Sequence, residues 1–364
     1  MVGAEGKLTP GELAEVTAFL RLKALAGLGD RGIKGLVDVH GSGQGALSAA
    51  LAQRRLWNSP VREADPATWR REGIDVVPMT SPRYPTRLRA LSDPPPLLFL
   101  QGQARLLALP AVAVVGSRRA TEGGRRTAEI LGARLAQGGV TVVSGMALGI
   151  DGAAHRGALS VGGNTVAVLG CGLGVVHPPS HRSLLNRIAA RGLVVSEFLP
   201  GEPALPFHFP RRNRIIAALA EAVIVVEAGE RSGALITVEH ALDLGRDILA
   251  VPGSVENPQC RGSNGLLRDG ARILLDPEGV IEELPELAAR EVAASGGKPG
   301  SMPDEPSVPP GLRGLWEALS RETSTVEDVA RRASVTPGEA LAGLAILELD
   351  GLVDQRPGLR FQRR

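Results

Sequence analysis

The sequence predicts a parallel, doubly wound α/β sheet at the centre of the chain, and three observations carry that expectation. Between Val112 and Leu275, short apolar, β-branched runs alternate six times with helical patterns. The runs VAVVG, VTVVSG, NTVAVLG, GLVVSE, AVIVVE and DILAVPG are apolar along their length rather than alternating, as strands covered on both faces must be. The Gly and Ser turns between strand and helix fall at the carboxyl edge, where sheets of this kind bind ligands.

Around this centre three further segments are expected. Residues 1–75 read as a small helical module. Thr9-Pro10-Gly11-Glu12 has the form of a helix start, with Thr9 as N-cap, Pro10 in the first turn and Glu12 three residues on. Short apolar helices then flank Gly27-Leu28-Gly29, a spacing that resembles a helix-hairpin-helix or sterile-alpha-motif-like module. The glycine turn of such a hairpin can approach a DNA phosphate, with Lys34 nearby; a helical adaptor that binds nothing is the alternative. The central domain spans residues 76–285 and opens with an entry strap, in which Pro94 to Pro96 hold the chain extended. Residues 286–311 are polar, Pro/Gly-rich and without period, a flexible linker. Residues 312–364 read as three helices and a β-hairpin turned at Pro357-Gly358, the winged-helix pattern. There Arg331, Arg332, Arg360, Arg363 and Arg364 are candidates for weak contact with duplex DNA.

Composition removes several classes of function. The chain of 364 residues is too long for one core and predicts two or three domains. No apolar run reaches the length of a membrane span and the N-terminus lacks the order of a secretion signal, so a soluble cytoplasmic protein is expected. Cys171 and Cys260 are the two cysteines, with no metal-binding spacing, so neither structural zinc nor a disulfide framework is expected. The net charge of +2 argues against holding nucleic acid by a general positive excess; any such site must be local.

Two stretches offer a local site. VAVVGSRRATEGG, from Val112, runs from a strand through a Gly/Ser/Arg turn into a helix, which would leave free backbone N–H groups at a helix N-terminus, an anion site. FHFPRRNRIIAAL, from Phe207, places Arg211, Arg212 and Arg214 around Asn213 at the start of an apolar helix. Basic residues there oppose the helix macrodipole unless an anion is bound. Guanidinium forks bind phosphates and aromatic faces stack on bases, so the pair reads as a nucleic-acid groove. The competing reading pairs these arginines with Glu197 and Glu202.

Catalytic motifs are sparse. Gly116-Ser117-Arg118 is not the Gly-x-Gly-x-x-Gly dinucleotide turn, and no Gly-Lys-Ser/Thr loop for nucleotide hydrolysis is present. Ser144-Gly145 lacks the nucleophile elbow. Asp151 and His155 share a helix face without a third partner, and a capping Asp with a packed His explains them. No catalytic, metal or cofactor residues are assigned. One enzymatic alternative stands: SGALITVEHAL keeps part of the Gly-x-Gly-Thr-x-x-Glu pattern of phosphoribohydrolases, which would make Glu239 the acid/base of a nucleoside-monophosphate glycosidase.

The segments GSRRAT, SGMALGIDGAAHRGAL, VLGCGLGVVHPPSHRSLL and SEFLPGEPALPFHFPRRNRIIAALAEAVIVVEAGERSGALITVEHALDLGRDILAVPGS closely resemble the DNA-processing protein A family (DprA, also called Smf). The resemblance covers residues 84–275 and includes the strap YPTRLRALSDPPPLLFLQG. It implies an extended Rossmann-like fold that binds single-stranded DNA, protects it and helps load the RecA recombinase during natural transformation, commonly as a homodimer. Carried over by position, Arg118, Arg211, Arg212, Asn213 and Arg214 would line the strand pocket. Gly116, Ser117, Gly145 and Ser232 would contact phosphate, and Phe207 or Phe209 would stack on a base. His177 and His181 depart from the family pattern at the lip of that pocket.

Overall fold

The computed structural model describes residues 9–25, 27–52, 66–284, 312–319, 324–349, 353–356 and 360–363. Contacts divide the chain into two compact units, Met1–Glu291 and Val292–Arg364. The expected linker and the turn at Pro357-Gly358 lie outside the described residues.

Helices α1 (Pro10–Ala24), α2 (Asp30–His40) and α3 (Gly43–Ala52) open the first unit. The capping box at Thr9 forms: its hydroxyl accepts from Glu12 N at 3.2 Å, and the Glu12 carboxylate accepts from Thr9 N at 2.8 Å. Val16, Phe19, Leu22 and Ile33 are buried between these helices, and their core is continuous with the sheet. Lys34, the candidate phosphate ligand of the hairpin, pairs along its own helix with Asp38 at 2.6 Å. After α4 (Pro66–Arg71) the strap forms β1 (Asp75–Pro78), α5 (Thr86–Arg89) and β2 (Leu97–Gly102). Its tyrosine is fixed, with Tyr84 OH donating to Pro95 O at 2.8 Å.

The doubly wound domain follows as β3 (Ala111–Val115), α6 (Glu122–Gln137), β4 (Thr141–Ser144), α7 (Ile150–Ser160), β5 (Thr165–Val168), α8 (Arg182–Arg191) and β6 (Leu193–Ser196). It continues through α9 (His208–Leu219), β7 (Ala222–Val225), α10 (Gly233–Asp243), β8 (Asp247–Ala250), α11 (Arg261–Arg268) and β9 (Arg272–Ile273). Among the described residues nine strands form one sheet in the order β1-β2-β6-β5-β4-β3-β7-β8-β9. From β6 to β9 every neighbour is parallel, while β1 and β2 extend the sheet antiparallel beyond β6. Alternate residues of β3 explain the two layers. Val112 and Val114 pack with Leu131 of α6 and Ala153 of α7, whereas Ala113 and Val115 share the other core with Ile188, Ile215 and Val238 of α8, α9 and α10.

His155 of α7 is buried to 0 % exposure, its Nδ1 2.7 Å from Thr165 Oγ1, which itself donates to Val142 O. Nδ1 therefore carries the proton, and Nε2 has no hydrogen-bond partner. Burial first, then the charges of His181, Arg212 and Arg156, brings its pKa from 6.5 to about 3. The ring is neutral in the folded state, while in the unfolded chain it takes up a proton below its ordinary value. Its contribution to stability is therefore complete above 6.5 and is lost as pH falls towards 3. At pH 5 the loss is about 2 kcal/mol. Denaturant unfolding at neutral pH and at pH 5 should show wild type losing about that much more than His155→Asn; equal losses would refute the assignment.

The second unit contains α12 (Arg313–Ala318), β10 (Ser324–Thr325), α13 (Val326–Ala333), α14 (Pro337–Leu349), β11 (Val353–Arg356) and β12 (Arg360–Arg363). Leu315, Val329, Leu344, Leu347 and Phe361 form its core, and a short strand, β10, joins the hairpin on β12. Arg331 sits 3.5 Å from Asp328, and Arg332 reaches Ala318 O and Ser324 Oγ. No described helix in either unit is long and apolar enough to cross a membrane.

Candidate nucleic-acid interface

Connections from β3 through β4 and β5 to β6 build the sheet in one direction; α9 then carries the chain back to β7, on the other side of β3. Two adjacent strands whose connections leave in opposite directions open a crevice at their carboxyl ends. A cavity of about 490 Å3 lies there, lined by the turns after β3 and β7, the inner face of α9 and the start of α10.

The turn after β3 is held from across the crevice. Ser117 N donates to Glu227 O at 2.6 Å, Ser117 Oγ donates to Gln259 Oε1 at 2.5 Å, and the same hydroxyl accepts from Arg119 N at 3.0 Å. Gly149 has φ +77, and a Cβ there would stand 2.2 Å from Ser117 O, so glycine is what lets the β4 turn close on the β3 turn. The N-terminus of α6 is not the anion site that the sequence suggests. Thr121 caps it, and the Glu227 carboxylate already accepts from Thr121 N at 2.9 Å and Oγ1 at 2.5 Å. The helix end that faces the cavity is that of α10, where Ser232, Gly233 and Ala234 line the wall; Ser232 Oγ accepts from Ala234 N at 3.4 Å, and the first turn holds no acidic residue.

The arginine cluster of α9 divides between two faces, which corrects the expectation that it lines the pocket as a group. At 3.6 residues per turn, Phe209, Arg212, Asn213 and Ile216 share one face and line the cavity, whereas Arg211 and Arg214 lie on the opposite one. Arg214, with 3 % of its side chain exposed, pairs with Glu197 at 2.9 Å, Asp93 at 3.1 Å and Asp30 at 3.1 Å. Arg211 pairs with Asp30 at 2.5 Å and Glu197 at 3.1 Å. Lys23 of α1 adds a bond from Nζ to Glu197 O at 2.9 Å. This buried network joins the helical module and the strap to the back of α9. The carboxylate pairing weighed against the groove reading thus holds for Arg211 and Arg214, with Asp30 and Asp93 in place of Glu202.

Arg212 does face the cavity, yet it is a strut. Its guanidinium donates to Gly145 O at 2.6 Å, to Val168 O and to Asn213 Oδ1 at 3.1 Å, tying together the ends of β4 and β5. Burial lowers its pKa to about 10, so it stays charged at neutral pH. A Cβ on Gly145 would meet that guanidinium at 2.6 Å, which accounts for the glycine. The Asn213 amide is spent on Arg212 and on Gly233 O, 3.0 Å away. Asp151, 6 % exposed on the cavity floor, accepts from Ala147 N at 3.3 Å, and burial raises its pKa.

What remains free is different from the set chosen by sequence. Arg118, Arg119 and Arg231 line the cavity, are exposed, and make no salt bridge among the described residues, although the charge of Arg118 acts on the Asp151 carboxyl in the same cavity. Arg118 lies over the Phe209 ring, 5.0 Å from its centroid, and the His177 ring stands 5.2 Å from the Phe209 ring at a tilt of 43°. Arg118 and Phe209 also border a second cavity of about 70 Å3, shared with His177, Gly145 and Gly170. Phe207 is 65 % exposed and lines neither cavity, so the aromatic face belongs to Phe209. His181 is buried, with Nδ1 3.1 Å from Met146 O. Glu239 is exposed on α10 and does not line the cavity, so the geometry gives it no acid/base role there. Among the described residues no three His, Cys, Asp or Glu side chains gather as metal ligands.

Arg119 and Arg231, which sequence reasoning missed, flank residues that it chose, Arg118 and Ser232. Their signal was position in a glycine-bearing turn rather than membership of a cluster.

The family model described as DNA recombination-mediator protein A matches residues 75–285, which is β1 through the last described residues of the first unit. The chain belongs to this recombination-mediator family. A second model, the DprA winged helix domain, matches residues 299–358. Protein Smf of Synechocystis is 34 % identical over 90 % of this chain and 89 % of its own length. The X-ray structure of DprA from Streptococcus pneumoniae superposes with a TM-score of 0.62 at 34 % identity, covering 76 % of this chain and 99 % of that one. DprA from Helicobacter pylori, whose structure is described as showing a single-stranded DNA binding mode, gives a TM-score of 0.54 at 29 % identity over 58 % of this chain and 96 % of its own. The recombination-mediator domain of this chain is thus the one that carries the switch-point cavity.

Proposed function

We propose that this recombination mediator binds unpaired DNA at the switch-point cavity without strong sequence preference and without cleaving it. The observation that carries this reading is the set of three guanidiniums, Arg118, Arg119 and Arg231, that line the cavity without a salt bridge among the described residues, Arg118 lying over the Phe209 ring. Guanidiniums and the α10 N-terminus receive phosphate oxygens, and Gly116, Ser117, Gly145 and Ser232 shape the walls that let a backbone approach. A base can stack on Phe209 only when it is not stacked in a duplex, which favours single strands. The committed amide of Asn213 leaves it no edge with which to read a base, so recognition tolerates sequence. The single-strand binding of the Helicobacter pylori relative supports the same assignment. Membership of the family supports the wider role: a cytoplasmic homodimer that protects the strand and helps load RecA during natural transformation.

The test is the salt dependence of binding. Three phosphate contacts at roughly 0.7 each give a log–log slope of about −2 for a thymidylate hexamer. A slope indistinguishable from zero would remove the electrostatic groove.

A further inference from the structure

Helix α8 carries three arginines and no acidic residue in its ten positions. Leu184 and Ile188 are buried under it, which turns Arg182, Arg187 and Arg191 outwards along a shallow open groove with Asn186. None of the three guanidiniums meets a carboxylate among the described residues, whereas Arg125, Arg134 and Arg156 on α6 and α7 each do. Arg182 stands in the first turn, where a cation opposes the helix dipole, and the residue before it makes no side-chain cap. A bound anion would relieve both.

The groove also begins where the cavity ends. The loop entering α8 carries His177, packed against Phe209, and His181, held on Met146 O; His177 and Met146 both border the smaller cavity behind Arg118. Arg182 is the next residue of the chain, and Arg187 and Arg191 follow over a helix about 15 Å long. We infer that the outward face of α8 is the second segment of the polynucleotide track, where Arg182, Arg187 and Arg191 receive phosphates of the same unpaired strand after it passes over His177. This rests on the cavity being a single-strand site. The occupant is a polyanion continuous with the one in the cavity, and with no aromatic side chain on this face it is gripped by phosphates alone, so affinity grows with strand length and not with sequence.

The experiment compares the full chain with the triple variant Arg182→Gln, Arg187→Gln, Arg191→Gln. Each is titrated with a thymidylate hexamer and with a strand of about 20 nucleotides, beyond the usual span of one single-strand groove. The exposed positions allow folding, checked by circular dichroism. The inference predicts unchanged hexamer affinity, a loss of about tenfold or more for the long strand, and a long-strand salt slope shallower by about 2. Unchanged long-strand affinity overturns it, whatever other anion the face then binds. An equal loss for both lengths also overturns it, since that is a general field and not a track. Hexamer binding by wild type reports on the cavity separately: if it is absent, the single-strand reading fails, and the α8 track with it.

Discussion

Arg214→Met should destabilise the first unit by about 3–5 kcal/mol, the usual cost of stranding a buried charge. Glu197 is fully buried, and burial holds its pKa above the ordinary carboxylate value although Arg214, Arg211 and Lys23 all pull it down. Without Arg214, Glu197 and Asp30 face each other with Arg211 as their nearest guanidinium, and Asp93 loses the bond to Arg214 Nε. Arg211, with 41 % of its side chain exposed, is screened by water, so Arg211→Gln should cost about 1 kcal/mol or less. The double variant Arg214→Met, Glu197→Leu should recover part of the single-variant loss, because it removes the stranded charge together with its partner. Denaturant unfolding measures all three. A loss below about 1 kcal/mol in Arg214→Met would mean that water reaches the network and that it does not hold the helical module to α9.

The architecture was legible because strand periodicity, strand length and capping are local properties. The six apolar runs became six mutually parallel strands of one sheet, and the Thr9 box closed as its spacing requires. The antiparallel addition of β1 and β2 beyond β6 was not visible, since pairing between distant strands leaves no mark within either one.

The site was legible in place but not in detail. Sequence proximity brought Arg211, Arg212 and Arg214 together, while a helix turning every 3.6 residues sends neighbours to opposite faces. Their fates were then decided by partners far along the chain: Asp30 and Asp93 for Arg214, Gly145 O and Val168 O for Arg212. The same holds at α6, whose N-terminus looked open until Glu227 arrived from the turn after β7, the strand beside β3. Arg118 lines the cavity, where an exposed turn residue without a salt bridge among the described residues presents its guanidinium.

The most direct test of the cavity sets Arg118→Gln against Arg211→Gln in one titration with the thymidylate hexamer. Both remove one positive charge from the same molecule, so they differ in where that charge stood. One charge-assisted phosphate contact is worth about 2 kcal/mol, and Arg118→Gln should therefore weaken binding about 30-fold. Arg211→Gln, on the far face of α9, should stay within about twofold of wild type, less than 0.5 kcal/mol. Equal losses in the two variants, or full affinity in Arg118→Gln, would contradict a strand held at the switch point.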